Sequence, residues 1–443
     1  MATLQDLKRK YSNRFVSAEE AVKSIESNDR IYIHSGCAYP TALVDAMVKR
    51  KDELTNIEVC HLMVMGDAPY MKPEMEGHFR HNGFFLGSNT RKHVNAGRAD
   101  FMPIFLSEIP GLISHDTKHK VNVVLIQVSP PDAHGFCSLG VAADCTKAAT
   151  EVADVVIAQI NSNMPRVHGD SFIHISDIDF SVEAEMELAE LPSAHLNKTD
   201  EEIGIFKKIG ENIAALVEDG ATLQMGIGAI PDAVLESLTG HKNLGIHTEM
   251  FSDGIIPLVE SGVVNCSAKT LLPEKMVTSF VLGTKKLFQF IDDNPLVEMR
   301  PTEFVNDPFT IARNDKMTAI NAALQVDLTG QVCADSIGYS FYSGFGGQVD
   351  FIRGSSRSKG GKPIISLPST AKKGTVSRIT THLDEGAGVT TSRGDVHWVV
   401  TEYGAVDLHG MNIRERVNAL ISIAHPKFHD MLEEFARSKK YIS

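Results

Sequence analysis

Six apolar, β-branched runs recur along the chain: "VNVVLIQV" (121–128), "DVVIAQI" (154–160), "MVTSFVL" (276–282), "TAINAALQV" (318–326), "PIISL" (363–367) and "HWVV" (397–400). They lack the alternation of a strand with one wet face. They read instead as strands buried on both faces, as happens when helices cover a mainly parallel sheet. Parallel neighbours need crossover connections, so this feature points to an α/β architecture. Residues 17–62 supply one repeating unit. Ser17 and Glu20 read as a capping box opening an amphipathic helix, and "RIYIH" (30–34) reads as a strand. Next come a small-residue turn, "SGCAYP" (35–40), a helix from near Pro40 with Leu43, Val44, Met47 and Val48 on one face, and the strand "IEVCHL" (57–62). The order returns in "GIFKKIGENIAALVEDG" (204–220), "ATLQMGIGAIPDAVLESL" (221–238) and "NLGIHTE" (243–249). Duplication and the shared grammar of α/β units both produce such a match, and both imply two α/β domains. At 443 residues the chain is too long for one ordinary core. The polar, proline-bearing stretch "ELPSAHLNKTDEE" (190–202), with Thr199 and Glu202 as the cap of a following helix, sets the expected domains at 1–195 and 196–443.

Charge narrows the partners. With 43 Lys+Arg against 56 Asp+Glu, the net charge of −13 repels nucleic acid and acidic lipid, so a small-molecule partner is expected. The six cysteines show no CxxC pair and no disulfide spacing. The start "MATLQDLKRKYSNRF" lacks the apolar run of a signal peptide, and no apolar stretch is long enough to span a bilayer. A cytoplasmic location with reduced thiols is the expectation, with a homodimer as the ordinary assembly. The 18 histidines form no HExxH and no ligand cluster, so no metal is expected. Asp132 and His134 in "SPPDAHG" suit a turn with a hydrogen-bonded histidine better than a metal or acid/base pair.

Two glycine clusters stand out. In "QMGIGAIPDAV" (224–234), Gly226 and Gly228 follow a strand and precede a helix, but Pro231 stands where a dinucleotide fingerprint has its third glycine. This disfavours a nicotinamide cofactor. What remains is a turn with bare N–H groups at a helix N-terminus, suited to a phosphate, carboxylate or oxyanion, or else a plain tight turn. In "YSGFGGQVDFIRG" (342–354), Gly344, Gly346, Gly347 and Gly354 keep the backbone bare. The segment downstream, "RGSSRSKGGKPIISLPSTAKKGTVSRI", is locally basic within an acidic chain. It is a solvated loop or the binding region for a phosphorylated, extended ligand.

Taken in order, "GSNTRKHVNAGRADFMP", "VSPPDAHGFCSLG", "QMGIGAIPDA", "GIHTEMFSDG", "GFGGQVDFIRG", "STAKKGTVSRI" and "VTEYGAVDLHG" resemble the acetyl-CoA hydrolase/transferase family, nearest to its 4-hydroxybutyrate and butyrate CoA-transferases. The resemblance spans nearly the whole chain. It implies two open, mainly parallel-sheet α/β domains with the active site at their interface, and coenzyme A as a substrate with no further cofactor. The family's nucleophilic glutamate falls on Glu249, which the sequence places where a strand ends and its loop begins. The CoA-pocket motif covers Gly226, Ile227, Gly228, Ala229, Ile230 and Pro231. A second loop, near the thioester and pantetheine, covers Gly344, Gly346 and Gly347. Lys372 is the implied contact for the CoA phosphates, with Lys373 as the competing register. Glu402 and Gly404 match a further motif of structural or pocket-lining kind.

A carboxylate can attack an acyl thioester to give a mixed anhydride and a CoA thiolate, which then attacks the glutamyl carbonyl to leave CoA on the enzyme as a thioester. Each step passes through a tetrahedral oxyanion, and removing one donor to such a centre typically costs about 3 kcal/mol. Gly347 is the expected backbone donor. His34, Ser35 and Gly36, or Asn89, Arg91 and Asn95, are candidates to line the acyl pocket. The leading reading is a transferase moving CoA between an acyl-CoA and a short carboxylic acid. An acyl-CoA hydrolase on the same scaffold and a noncatalytic CoA-binding sensor are the alternatives.

Overall fold

The computed structural model describes residues 4–114, 117–191 and 198–443, so the boundary expected at 195/196 lies outside the described residues. The chain divides into two compact units. Met1–Pro192 and Val277–Val305 form the first, and Ser193–Met276 and Asn306–Ser443 the second.

The first unit is built on a seven-stranded parallel sheet. Its strands are β1 (Arg30–Ile33), β2 (Ile57–His61), β3 (Phe79–Gly83), β4 (Asp100–Phe101), β5 (Val123–Val128), β6 (Val155–Ile160) and β7 (Phe180–Glu183). They lie in the order β4-β3-β2-β1-β5-β6-β7. All six residues of β5 are buried, as its unbroken apolar run requires of a strand covered on both faces. Helix α1 (Thr41–Lys49) starts directly after Pro40 and turns Leu43, Val44, Ala46 and Met47 inward. Ser17 does accept the Glu20 N–H, but the helix it opens is shorter than expected. It covers only Ala18–Ala21 before tightening into a 3₁₀ turn, and the Glu20 carboxylate pairs forward with Lys23 rather than closing the capping box.

In the second unit, β8 (Thr222–Met225), β9 (Gly245–Phe251), β10 (Met317–Ala322), β11 (Lys362–Ser366), β12 (Trp398–Thr401) and β13 (Gly404–Asp407) lie in the order β9-β8-β10-β11-β12-β13. The first five are parallel and β13 returns antiparallel on β12. Helix α2 (Asp200–Ala214) carries the full capping box of Thr199 and Glu202. Helix α3 (Ala229–Ser237) follows β8, and α4 (Gln348–Arg357) precedes β11. Both sheets start from a central strand, run outward on one side, and return to the other side of that strand. The order β2-β1-β5-β6-β7 therefore corresponds to β9-β8-β10-β11-β12. Each unit thus has one point where the winding reverses, the place where open α/β sheets receive ligands at the carboxyl ends of their strands. In the second unit it lies between β8 and β10.

Candidate active site

Glu249 sits within β9, as the fifth of its seven residues, and not in a loop after the strand. The ladder between β8 and β9 pairs Thr222 with Gly245 and Leu223 with Ile246, so Glu249 lies toward the carboxyl end of β9, beyond that register. The strand runs on through Phe251, whose ring is buried, so the site has a rigid support that a loop would not provide. Glu249 is half-buried, and its Oε2 accepts a hydrogen bond of 3.2 Å from the Asn306 side-chain amide. Asn306 is fully buried, and the oxygen of that amide has no hydrogen-bond partner among the described residues.

Gly347 packs against the same carboxylate oxygen that Asn306 holds. It is the N-cap residue of α4, so the positive end of that helix lies against Glu249. A β-carbon at 347 would overlap both Glu249 Oε2 and Asn306 Nδ2. Glycine is needed here for close approach, since its φ of −94° suits any residue. Its neighbour Gly346 needs glycine for the other reason, a φ of 51°. The Gly347 N–H has no hydrogen-bond acceptor among the described residues, whereas its carbonyl accepts from Phe351. Gly347→Ala is therefore expected to lower kcat about 100-fold, because a displacement near 1 Å at a reacting group has that cost. Steady-state kinetics beside a thermal melt that moves little would establish it.

The turn after β8 lies alongside. Thr248, next to Glu249, bonds through Oγ1 to both the N–H and the carbonyl of Met225, next to Gly226. Gly228 caps α3 with a φ of 112°, a conformation side chains rarely adopt, while Ala229 and Ile230 form the first turn of that helix. A cleft opens where the winding reverses, bounded by Gly226, Ile227 and Pro231 on one side and by Ile320, Asn321, Ala322 and Ser366 on the other. Gln224 and Asn321 hold its floor through mutual side-chain amide bonds across β8 and β10. Gly344 belongs to the same loop as Gly346 and Gly347 and is buried.

Lys372 stands apart. It and Lys373 are exposed at the tip of a short hairpin (Thr370–Ala371 with Val376–Ser377), both in the left-handed region, and no hydrogen bond or ion pair joins them to the Glu249 cluster. Glu402, expected to be structural or pocket-lining, bonds to Ser369. Its two carboxylate oxygens accept from the N–H and the hydroxyl of Ser369 at 2.8 and 2.6 Å, which anchors the base of that hairpin.

In the first unit, His34 is fully buried, with Nδ1 accepting from the Gln127 N–H and Nε2–H donating to the Ala142 carbonyl. Both ring nitrogens are spent on the scaffold. Asn89 likewise donates to the Val64 and Gly66 carbonyls. Asp132 accepts from the N–H groups of His134 and Phe136, the turn that "SPPDAHG" suggested. Asn306 was missed by the sequence reading. "FVNDPF" displays only the start of a helix, with Asp307 capping Pro308–Ile311, and nothing local marks the preceding asparagine.

Among the described residues there is no group of three or more His, Cys, Asp or Glu able to hold a metal, and no helix is long and apolar enough to cross a membrane. Comparison with known proteins agrees with the motif order. Residues 1–191 match the acetyl-CoA hydrolase/transferase N-terminal domain and residues 283–436 the C-terminal domain of that family. A 4-hydroxybutyrate coenzyme A transferase of Clostridium kluyveri is 53% identical over 96% of this chain and 98% of its own. A succinyl-CoA:acetate/propanoyl-CoA:succinate CoA transferase of Fasciola hepatica is 46% identical over 95% of this chain and 87% of its own. The crystal structure of a 4-hydroxybutyrate CoA-transferase from Porphyromonas gingivalis superposes with a TM-score of 0.84 at 40% identity, covering 99% of this chain and all of that one. The chain belongs to the acetyl-CoA hydrolase/transferase family.

Proposed function

We propose that the protein is an acyl-CoA:carboxylate CoA-transferase that passes CoA between an acyl-CoA and a short acid of the 4-hydroxybutyrate, butyrate or acetate type, in ping-pong fashion, through a glutamyl-CoA thioester on Glu249. The observation that carries this reading is the seating of the Glu249 carboxylate against both the Asn306 amide and Gly347, at the N-terminus of α4. An acid that served only to solvate a strand end would not need a glycine pressed against it and a buried asparagine bonded to it.

The chemistry follows from that seating. Asn306 fixes one carboxylate oxygen, which directs the other at the thioester carbonyl. Attack expels the CoA thiolate and leaves an acyl–glutamyl anhydride. The thiolate adds to the glutamyl carbonyl and the acyl carboxylate departs. The oxyanion formed at each addition needs donors that owe nothing to the fold, and the Gly347 N–H is one. An incoming carboxylate then reverses the two steps. The CoA chain lies along the cleft between β8 and β10, where the Gly226–Ile230 turn supplies bare backbone and Ile320, Asn321 and Ala322 supply the facing wall.

Incubation with butyryl-CoA, with and without acetate, tests the reading by mass spectrometry of the products. Acetyl-CoA is expected to form only with acetate, and free CoA to accumulate at least about 100-fold more slowly, since a dry site protects an acyl intermediate from water. Release of free CoA at the same rate without acetate would make the protein a hydrolase. No turnover at all would make it a sensor.

A further inference from the structure

Arg378 is a cation that the fold has left without an anion. It follows the second strand of the hairpin that carries Lys372 and Lys373, with its own N–H bonded to the Ser369 carbonyl at 2.8 Å. Its side chain is only partly exposed, and burial holds the guanidinium below the ordinary arginine range. Among the described residues the side chain makes one hydrogen bond, Nη1 to the Ala323 carbonyl at 3.5 Å, and no ion pair. Its Nε is buried and bonded to nothing. Tyr342 and then Glu402 are the acidic groups that influence it, and both Glu402 oxygens are committed to Ser369. A guanidinium offers five donors, and one that is partly buried with a single long hydrogen bond is poorly compensated for the water it has lost. A fold that keeps such a group is holding it for an anion that arrives from outside.

The location says which part of a ligand that is. Ala323 immediately follows Ala322 of the cleft wall, and its N–H bonds to the carbonyl of Ser366, another wall residue, so the bond from Arg378 to the Ala323 carbonyl ties the guanidinium to the segment that borders the cleft. Two strand spacings separate β10 from β9, which bears Glu249, or roughly 10 Å at about 4.8 Å each. A short acid whose carboxylate reacts at Glu249 does not extend that far. The phosphates of CoA, held away from the sulfur by the pantetheine arm, do. Arginine suits them because its planar fork can take two phosphate oxygens at once.

We infer that Arg378 is a phosphate-binding residue of the acyl-CoA subsite, supplying from inside the cleft wall a charge that the exposed Lys372 and Lys373 supply only at the surface. This rests on the transferase reading for its ligand, but its test requires no turnover. Isothermal titration of the full-length protein with CoA, 3′-dephospho-CoA and pantetheine, repeated on Arg378→Gln and Arg378→Lys, measures it directly. Arg378→Gln is expected to weaken CoA at least 10-fold and pantetheine less than 2-fold, with Arg378→Lys losing about 3-fold on CoA alone. If 3′-dephospho-CoA suffers the same loss, the partner is the diphosphate; if it is spared, the partner is the 3′-phosphate. CoA affinity unchanged in Arg378→Gln, or CoA and pantetheine weakened alike, overturns the assignment. If Arg378→Gln does not fold, the CoA-against-pantetheine contrast in Arg378→Lys decides on its own. A protein that binds CoA through Arg378 yet moves no acyl group would sink the transferase reading while leaving this one standing.

Discussion

Glu249→Gln is expected to reduce kcat for CoA transfer by at least about 10⁴-fold, the scale on which removal of a covalent nucleophile is felt, while leaving CoA affinity within a few-fold of the parent. The substitution is close to isosteric, and the glutamine carbonyl can still accept from Asn306, so the half-buried site keeps its packing and its hydrogen bond. What disappears is the charge that attacks and the oxygen that becomes acylated. Trapping makes the claim chemical. With acyl-CoA and no acceptor, the parent protein should accumulate a glutamyl thioester that borohydride reduces to an alcohol at position 249, visible as a mass change in the peptide containing it. Glu249→Gln should give no such product. Retention of more than a few per cent of activity, or a reduced product elsewhere in the chain, would remove Glu249 from the reaction. Asn306→Ala sharpens the contrast, because it leaves the nucleophile present but unheld, and should slow the reaction without abolishing the trapped species.

The α/β class and the parallel winding were legible because they rest on a repeated physical signal. A strand covered on both faces is apolar at most successive positions, and β5, the clearest of the apolar runs, is buried throughout. The cap at Thr199 was equally plain, since a capping box is local by nature. The Ser17 helix shows the limit of local reasoning. The cap forms, but the next turn tightens so that Val22 and Ile25 reach the core, and tertiary packing sets where the helix stops. Glu249 was legible only through the motif order, because the residue pattern put it merely at the end of a strand, where an acid is ordinarily solvated, and the strand in fact runs two residues further, to Phe251. Asn306 and Arg378 were not legible. What marks the first is a contact across 57 positions, and what marks the second is the absence of a counter-ion, and neither leaves a trace in spacing.

Acid is expected to unfold the protein well before its carboxylates are neutralised, and three histidines of the first unit give the reason. His34 and His81 are completely buried, and desolvation pushes each from an ordinary 6.5 down to about 4. His61 is also fully buried, stacked on His81 at 4.2 Å, and is held well below the ordinary value by desolvation and by its histidine neighbour. Each stays neutral in the folded chain while its unfolded counterpart takes up a proton below pH 6.5. The unfolded state therefore binds more protons between pH 6.5 and 4, so stability falls as pH falls through that window and levels off below it. For His34 and His81 a shift of this size corresponds to about 3 kcal/mol each, comparable with a large part of the whole stability of a domain. Buried Asp144 acts in the opposite sense, because desolvation raises its pKa and lets the folded state take up a proton early. It is common to parent and variant and cancels in their difference. Urea unfolding at pH 7.5, 6.5, 5.5 and 4.5 should show the midpoint constant between the first two and then dropping steeply. In His81→Gln, whose amide can still donate to the Val59 carbonyl that His81 Nδ1–H now serves, the pH slope should be shallower by about one proton. Parallel slopes in parent and variant would mean that His81 is not held neutral by burial.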